Sequence, residues 1–326
     1  MNKQNKQNRK INRRRFIGIA SAAAAYPIIP QIVRGSTLGL GLEKPDSVSA
    51  SPKTSEVVAI QLYCVRNDMR KDPLGTLKQI AEMGYTYVEH ANYVNRKFYG
   101  YNADDFKKIL DDLGLIMPSG HTVLGEQHWD KGTNDFTDSW KYTIEDAATC
   151  EQKYVVSPWL DDKFRTYDPF MKFMEVFNKC GELCNQSGMK FGYHNHDFEF
   201  SLKLNDKDMF DLIMKNTDAD KVCMQLDIGN MYIAGAKAID IITRYPGRFE
   251  NIHVKDMIKT EGDGQGYEST ILGKGLVDVK KVIDLTREKE GTCLYVIEQE
   301  AYQGKTPLEC IKTDLKIMKE WGYPKQ

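Results

Sequence analysis

The chain has almost no net charge. Across 326 residues, 45 lysines and arginines face 46 aspartates and glutamates, a formal balance of -1. That balance gives no electrostatic argument for nucleic acid or for an anionic membrane surface. No CxxC pair occurs, and the seven cysteines are odd in number. Such usage favours buried free thiols over a disulfide frame. Cys180 and Cys184 stand four apart, a spacing that suits packing on one helix face. No G-x-G-x-x-G follows the first apolar run, which counts against a dinucleotide-binding domain. Long apolar stretches are scarce too. FIGIASAAAAYPIIPQIV is short and broken by Pro27 and Pro30, so it does not read as a spanning helix.

That stretch has another reading. The fifteen residues before Phe16 hold basic residues and no acids, and small residues follow the apolar run. This is the layout of an export signal. Arg13 and Arg14, followed by Arg15, Phe16 and Ile17, fit the twin-arginine pattern R-R-x-F-[LI]. Residues 1–34 are therefore expected to direct export, with a periplasmic destination and no stable membrane insertion after processing. Residues 35–55, rich in Gly, Ser and Pro, read as a linker, and 56–326 as the folded domain. A route that exports folded protein suits reduced cysteines.

Hydrophobic residues at 41% and aromatics at 10% supply a large core. From Val57 onward, eight strand-length apolar runs recur: 57–63, 85–90, 115–121, 154–159, 190–196, 222–227, 249–256 and 293–300. Helical patterns lie between them. Asp72 and Pro73 open one with a cap and a first-turn proline, and Gly84 closes it. Phe173, Met174, Phe177, Cys180 and Cys184 form the stripe of another, and these Met and aromatic positions read as core. Eight strand–helix units predict a single (β/α)8 TIM barrel of α/β class.

In such a barrel, chemistry sits where strands end and the following loops begin. All six histidines, 90, 121, 128, 194, 196 and 253, are placed there. So are Glu89, Asp227, Asp256, Glu298 and Glu300. Strand side chains alternate, so His194 and His196 share one face, as do Glu298 and Glu300. One such histidine is more simply a hydrogen-bonded core or rim residue. The set predicts one divalent ion held by imidazole and carboxylate, with Mn2+, Co2+, Zn2+ or Fe2+ as candidates.

FGYHNHDFEF, QLDIGN, IHVKD and YVIEQE, in that order, resemble the sugar phosphate isomerase/epimerase family of xylose isomerase-like TIM barrels, which also contains endonuclease IV. LGKGLVDVKKVI fits as well, and the resemblance spans residues 57–322. It implies a metal held from the fifth to eighth strands, usually by Glu, Asp, His and Glu. Asp227, His253 and Glu298 match the last three. The fifth-strand position falls on His194, with His196 as an alternate ligand or a base, and Glu199 as another candidate base. His121 resembles a histidine placed beside the substrate. Lys255 is a candidate to stabilise an enediolate. Asn230, Glu89, Trp129 and Trp159 are candidate substrate contacts, the tryptophans by stacking on a sugar ring; packing roles remain open for each.

The expected activity is a metal-dependent isomerase or epimerase acting through an enediolate on an unphosphorylated sugar. His196, Glu298 or Glu300 would be the base. A lyase, dehydratase or deglycosidase acting on a keto-sugar or keto-glycoside stands next, favoured by the missing fifth-strand glutamate and by export. A nuclease and a non-catalytic sugar-binding protein follow. The expected partner is a small carbohydrate and not nucleic acid, and a homo-oligomer is left open. Fractionation of expressing cells will test the export reading: the mature chain is expected outside the cytoplasm without its signal, and cytoplasmic protein with residues 1–30 intact refutes it.

Overall fold

The computed structural model describes residues 56–261, 266–290 and 292–324. The expected export signal and the linker lie outside the described residues. Eight parallel strands close into a barrel: β1 (Val57–Gln61), β2 (Tyr87–His90), β3 (Ile116–His121), β4 (Tyr154–Ser157), β5 (Lys190–His194), β6 (Val222–Asp227), β7 (Asn251–Val254) and β8 (Leu294–Ile297). Neighbours in sequence are neighbours in the sheet, and β8 returns to pair with β1. A main helix follows each strand: α1 (Pro73–Glu82), α2 (Ala103–Asp112), α3 (Asp138–Thr149), α4 (Tyr167–Asn185), α5 (Met209–Asn216), α6 (Ala238–Arg244), α7 (Val279–Glu290) and α8 (Pro307–Glu320). All eight expected strands are present. Asp72 caps α1 through Gly75 N, with Pro73 in the first turn, as the sequence predicted.

The period-two alternation sorts side chains into two apolar clusters. Ala59, Tyr154, Val156, Cys223, Leu294 and Val296 fill the barrel interior. Their neighbours Ile60, Val155, Met224, Tyr295 and Ile297 pack outward in the larger cluster under the helices. Above the apolar interior plug, the inward positions become polar. Gln61, Glu89, Ser119, Gln225 and Asn251 are all fully buried there. Each has an interior partner to offset its desolvation, as buried polar groups require.

Most strands are shorter than their apolar runs. β5 stops at His194, so His196 stands in the loop beyond it, and Glu298 and Glu300 likewise lie past β8. At β5 the reason is visible. The Asn195 side chain replaces the ladder: its Oδ1 accepts from Asp227 N at 3.0 Å, and its Nδ2 donates to Asp227 O at 3.1 Å. The chain is then free to turn.

The segment after β7 steadies the rim. Asp256–Lys259 pairs antiparallel with Tyr267–Thr270. The Asp256 carboxylate accepts from the backbone amides of Met257, Gly275 and Val277. Asp314 on α8 accepts from Leu272 N at 2.9 Å. Ser269 Oγ in turn accepts from Glu300 N at 2.7 Å and Ala301 N at 2.9 Å. A side excursion thus fixes the loop that carries Glu300.

Burial pushes the Asp314 carboxyl up to about 7, above its ordinary value of 3.8. A raised acid pKa means that the folded state favours the protonated form. Its stabilising contribution is present below pH 3.8 and is lost as pH rises towards 7. Asp314→Asn is therefore expected to melt near the wild-type temperature at about pH 4 and several degrees above it at about pH 8. The gap corresponds to at most roughly 4 kcal/mol. Thermal melts across that range check it.

Candidate metal centre

His194, Asp227, His253 and Glu298 present ligand atoms that all lie within 4.8 Å of one another, and all four residues are buried. His194 and Asp227 end β5 and β6, His253 is the penultimate residue of β7, and Glu298 stands just past β8. His121, His194 and His253 form a second, overlapping group within the same distance.

Asp227 has a divided role. Its Oδ1 caps the short helix Ile228–Ile233, accepting from Gly229 N at 2.8 Å and Asn230 N at 2.7 Å. Its Oδ2 is buried and accepts no hydrogen bond; His194 Nε2 lies 3.8 Å away and Lys255 Nζ 3.3 Å away. Burial pushes this carboxyl up to about 6, against the pull of Lys255. An oxygen desolvated without a hydrogen bond is costly unless cations offset it; the Lys255 ammonium does so in part, and a metal ion would complete it.

His253 lies between two carboxylates. Nδ1 meets Glu298 Oε2 at 3.0 Å and Nε2 meets Glu89 Oε1 at 2.6 Å. Burial alone would lower its pKa, but Glu298 and Glu89 together lift it to about 10. Glu298 is resisted by burial, yet Lys255 and His253 hold its carboxyl well below the usual range. Lys255, only 3% exposed, contacts Asp227, Glu298 and Glu300. Burial opposes its charge, and those three acids more than restore it. Its stem packs so close to Gly229 that a Cβ there would fall 2.6 Å from Lys255 Cγ.

The donor set fits a divalent ion of the imidazole- and carboxylate-binding kind. It offers two nitrogens and two carboxylates, one with an oxygen that no hydrogen bond satisfies, and with Glu89 and Glu300 counted four carboxyl groups meet Lys255 and His253. Glu89 behind His253 supplies the carboxylate–histidine support typical of ligating imidazoles.

A cavity of about 830 Å3 opens above the cluster. His121, His194, His196, Asn230, Lys255, Glu298 and Glu300 line it, and Trp159 forms part of its wall. Trp159 is 40% exposed and meets the His196 ring edge-on at 5.0 Å. Arg165 lies between the Trp159 and Phe198 rings. Among the described residues, His196 Nδ1 is buried without a hydrogen-bond partner, and no hydrogen bond reaches Nε2. Burial, with Lys255 nearby, pulls its pKa down to about 4.

Three expectations change. Trp129 is not in this cavity. It begins a hairpin, Trp129–Asp130 against Asp135–Phe136, that carries it to a separate groove beside Phe164, Phe173 and Lys179. Glu89 is no rim contact: it is fully buried and lies beneath the histidines. Glu199, a candidate base, is also buried. Its carboxylate accepts from Tyr193 OH and, at 2.8 Å, from His196 N, so it props the His196 backbone. All six histidines do lie towards one end, but His90 faces outward against Phe98.

Sequence reasoning missed Gln225 and Gln61. Gln225 Oε1 meets both His121 Nε2 at 2.6 Å and His194 Nδ1 at 3.0 Å, while its Nε2 donates to Glu89 at 2.7 Å. The available signal was parity. Gln225 stands two before Asp227 in an otherwise apolar strand, on the same inward face.

Barrel and centre together define a (β/α)8 enzyme with its chemistry at the C-terminal ends of the strands. The chain belongs to the xylose isomerase-like TIM barrel family, whose profile matches residues 77–321. It is 26% identical over 213 residues to an inosose dehydratase of Clostridium beijerinckii, covering 60% of this chain and 61% of that protein. Among solved structures, a sugar phosphate isomerase/epimerase of Parabacteroides distasonis superposes with a TM-score of 0.69. It shares 25% identity and covers 86% of this chain and 98% of its own. The IolI protein, solved with a zinc atom, shares the fold at 14% identity and a TM-score of 0.61, over 81% of this chain and 97% of its own.

Asp227→Asn keeps the oxygen that caps the short helix and replaces the orphaned one with an amide donor. The variant is expected to fold and to lose divalent metal, by well over tenfold in affinity, since loss of outer partners alone costs about 10–100-fold. Elemental analysis and metal titration of both proteins check this.

Proposed function

We propose that this chain is a divalent-metal-dependent lyase that eliminates water, or another leaving group, from an unphosphorylated polyhydroxy ketone. His194, Asp227, His253 and Glu298 would hold the metal, which supplies Lewis-acid polarisation of the carbonyl and adjacent hydroxyl. The observation that carries the reading is the inequality of the two walls. On the β5 side stands an imidazole, His196, whose ring nitrogens take no hydrogen bond from the described residues. On the β8 side, Glu298 and Glu300 are both tied to the Lys255 ammonium. Epimerisation takes a proton from one face of a carbon and returns one to the other, and equivalent bases on both walls serve it best. Elimination needs one base and one acid, which unequal walls supply.

In this scheme a His196 ring nitrogen takes the proton from the carbon α to the carbonyl. The electron pair of that C–H bond becomes the new carbon–carbon double bond as the β C–O bond breaks. Lys255 gives a proton to the departing oxygen and returns to charge by exchange with solvent. Trp159 flanks the substrate and the base. The relative named as an inosose dehydratase supports a cyclic polyhydroxy ketone as the substrate class.

The cavity also favours an uncharged substrate. Its two basic residues are committed, Lys255 to three carboxylates and Arg96 to Asp146 and Glu145, which leaves neither as a free phosphate grip. The export expected from residues 1–34 belongs to the same proposal, since it would place the enzyme among unphosphorylated sugars. The second reading, isomerase or epimerase, is supported by the likeness to the Parabacteroides distasonis protein.

NMR in deuterium oxide separates the two. With an inosose or a keto-glycoside, a lyase gives an unsaturated ketone and the released leaving group. An epimerase or isomerase returns a deuterated stereoisomer or positional isomer with nothing lost. His196→Ala is expected to lower turnover by about 10^2–10^4-fold while leaving metal content unchanged. Wild-type-like turnover in that variant removes His196 as the base.

A further inference from the structure

A directed hydrogen-bond relay runs beneath the metal centre, and its direction is set at one residue. Glu89 is fully buried, and Gln61 fixes its role: Gln61 Oε1 accepts from Tyr63 N at 3.1 Å, which turns the Gln61 NH2 to the Glu89 carboxylate. An amide NH2 can only donate, so the carboxylate accepts. Its neighbours must therefore donate: Gln61 Nε2 to Oε1 at 2.7 Å, His253 Nε2 to Oε1 at 2.6 Å, and Gln225 Nε2 to Oε2 at 2.7 Å.

The consequence propagates. Gln225 spends its amino group on Glu89, so its Oε1 faces the other way. There His121 Nε2 approaches at 2.6 Å and His194 Nδ1 at 3.0 Å. An amide oxygen also only accepts, so both rings must carry their protons at those atoms. His194 is left with its lone pair on Nε2, the nitrogen 3.8 Å from the orphaned Asp227 Oδ2. His253 meets a carboxylate at each nitrogen, Glu89 at Nε2 and Glu298 Oε2 at Nδ1, 3.0 Å away; a metal would take the place of the Nδ1 proton, while Glu89 keeps the one at Nε2.

We infer that Glu89 is the positioning residue of the centre: directly for His253, and through Gln225 for His194, it decides which ring nitrogen each ligand histidine offers to the metal. It belongs to neither group of candidate ligands and does not line the cavity. The inference rests on the metal reading given above and adds a requirement to it. So long as position 225 carries an amide, a carboxylate, and not merely a residue of that shape, is needed at position 89.

Donor–acceptor parity makes this testable with isosteres. In Glu89→Gln, the new amide can turn either way. If its NH2 faces His253, Nε2 of that ring must accept, and the proton moves to Nδ1. If its NH2 faces Gln225, the Gln225 amide must flip. Its NH2 then faces His194 Nδ1, and the His194 proton moves to Nε2. Either way one ligand nitrogen is blocked. In the exchange variant, which combines Glu89→Gln with Gln225→Glu, every hydrogen bond to a histidine keeps its original direction, and only the bond between positions 89 and 225 reverses. The carboxylate introduced at position 225 accepts from His121, from His194 and from the amide introduced at position 89. The oxygen of that amide accepts from His253 and Gln61. The buried layer also keeps its charge.

The experiment titrates metal-stripped, full-chain protein with Co2+, read by visible absorption, and records histidine nitrogen correlations by NMR on the metal-free form. Glu89→Gln is expected to bind Co2+ about 10–100-fold more weakly than wild type. The exchange variant is expected to recover the loss. In metal-free wild type and in the exchange variant, His194 should carry its proton on Nδ1. Wild-type affinity in Glu89→Gln overturns the relay while the metal reading stands. An exchange variant as weak as the single one also overturns it, since charge or packing is then what matters. If the wild type itself takes up no Co2+, the metal reading fails and the inference falls with it.

Discussion

Burying charge is the constraint on which the upper half of this barrel depends. Glu89, Asp227, Lys255 and His253 are all removed from water, with Glu298 close behind. Isolated charges in such a place would cost several kcal/mol each. Each is therefore tied to another across strands. Lys255 draws together acids from β6 and from beyond β8, and His253 joins β2 to the end of β8. The apolar plug below excludes water, and the side excursion after β7 holds the last carboxylate at the rim. Such a network is a poor source of net stability but a strong source of geometry, because one misplaced partner leaves a buried charge uncompensated.

Much of this was legible in the chain. Apolar runs of strand length pointed to eight strands, and the resemblance of the strand motifs to a known family singled out His194, Asp227, His253 and Glu298 as the ligand set. The hidden part is lateral. A linear pattern tells which way a side chain points, but not what it meets across the barrel. Gln225 and Gln61 look like ordinary polar residues in apolar strands, and only closure brings both to Glu89. Glu89 looked like a rim acid because it sits one residue before the strand end, yet the stagger of the barrel sets it below the histidines. Trp129 was misplaced for a different reason. It lies in a loop, where a hairpin not evident from periodicity decides its direction.

A histidine in the fifth-strand position changes the balance of the site as well as its chemistry. An imidazole ligand brings no negative charge, so the charge matching a cation rests on Asp227 and Glu298. Those same two acids also hold Lys255. A ligand, a lysine and a substrate oxygen can thus share one set of carboxylates. In the proposed mechanism, proton transfer at Lys255 and the electrostatics of the ligands would be coupled by contact, not through distance.

The side-chain amide of Asn195 that grips both backbone groups of Asp227 has a mechanical meaning. It welds the ends of β5 and β6 at the level where the ladder has already stopped. His194 and Asp227 then ride on one stiff unit. For an ion seated between them, release requires more than a side-chain swing, because neither arm moves independently of the other. The weld should show itself in time rather than in affinity, as slow exchange of a bound ion with the surrounding solution.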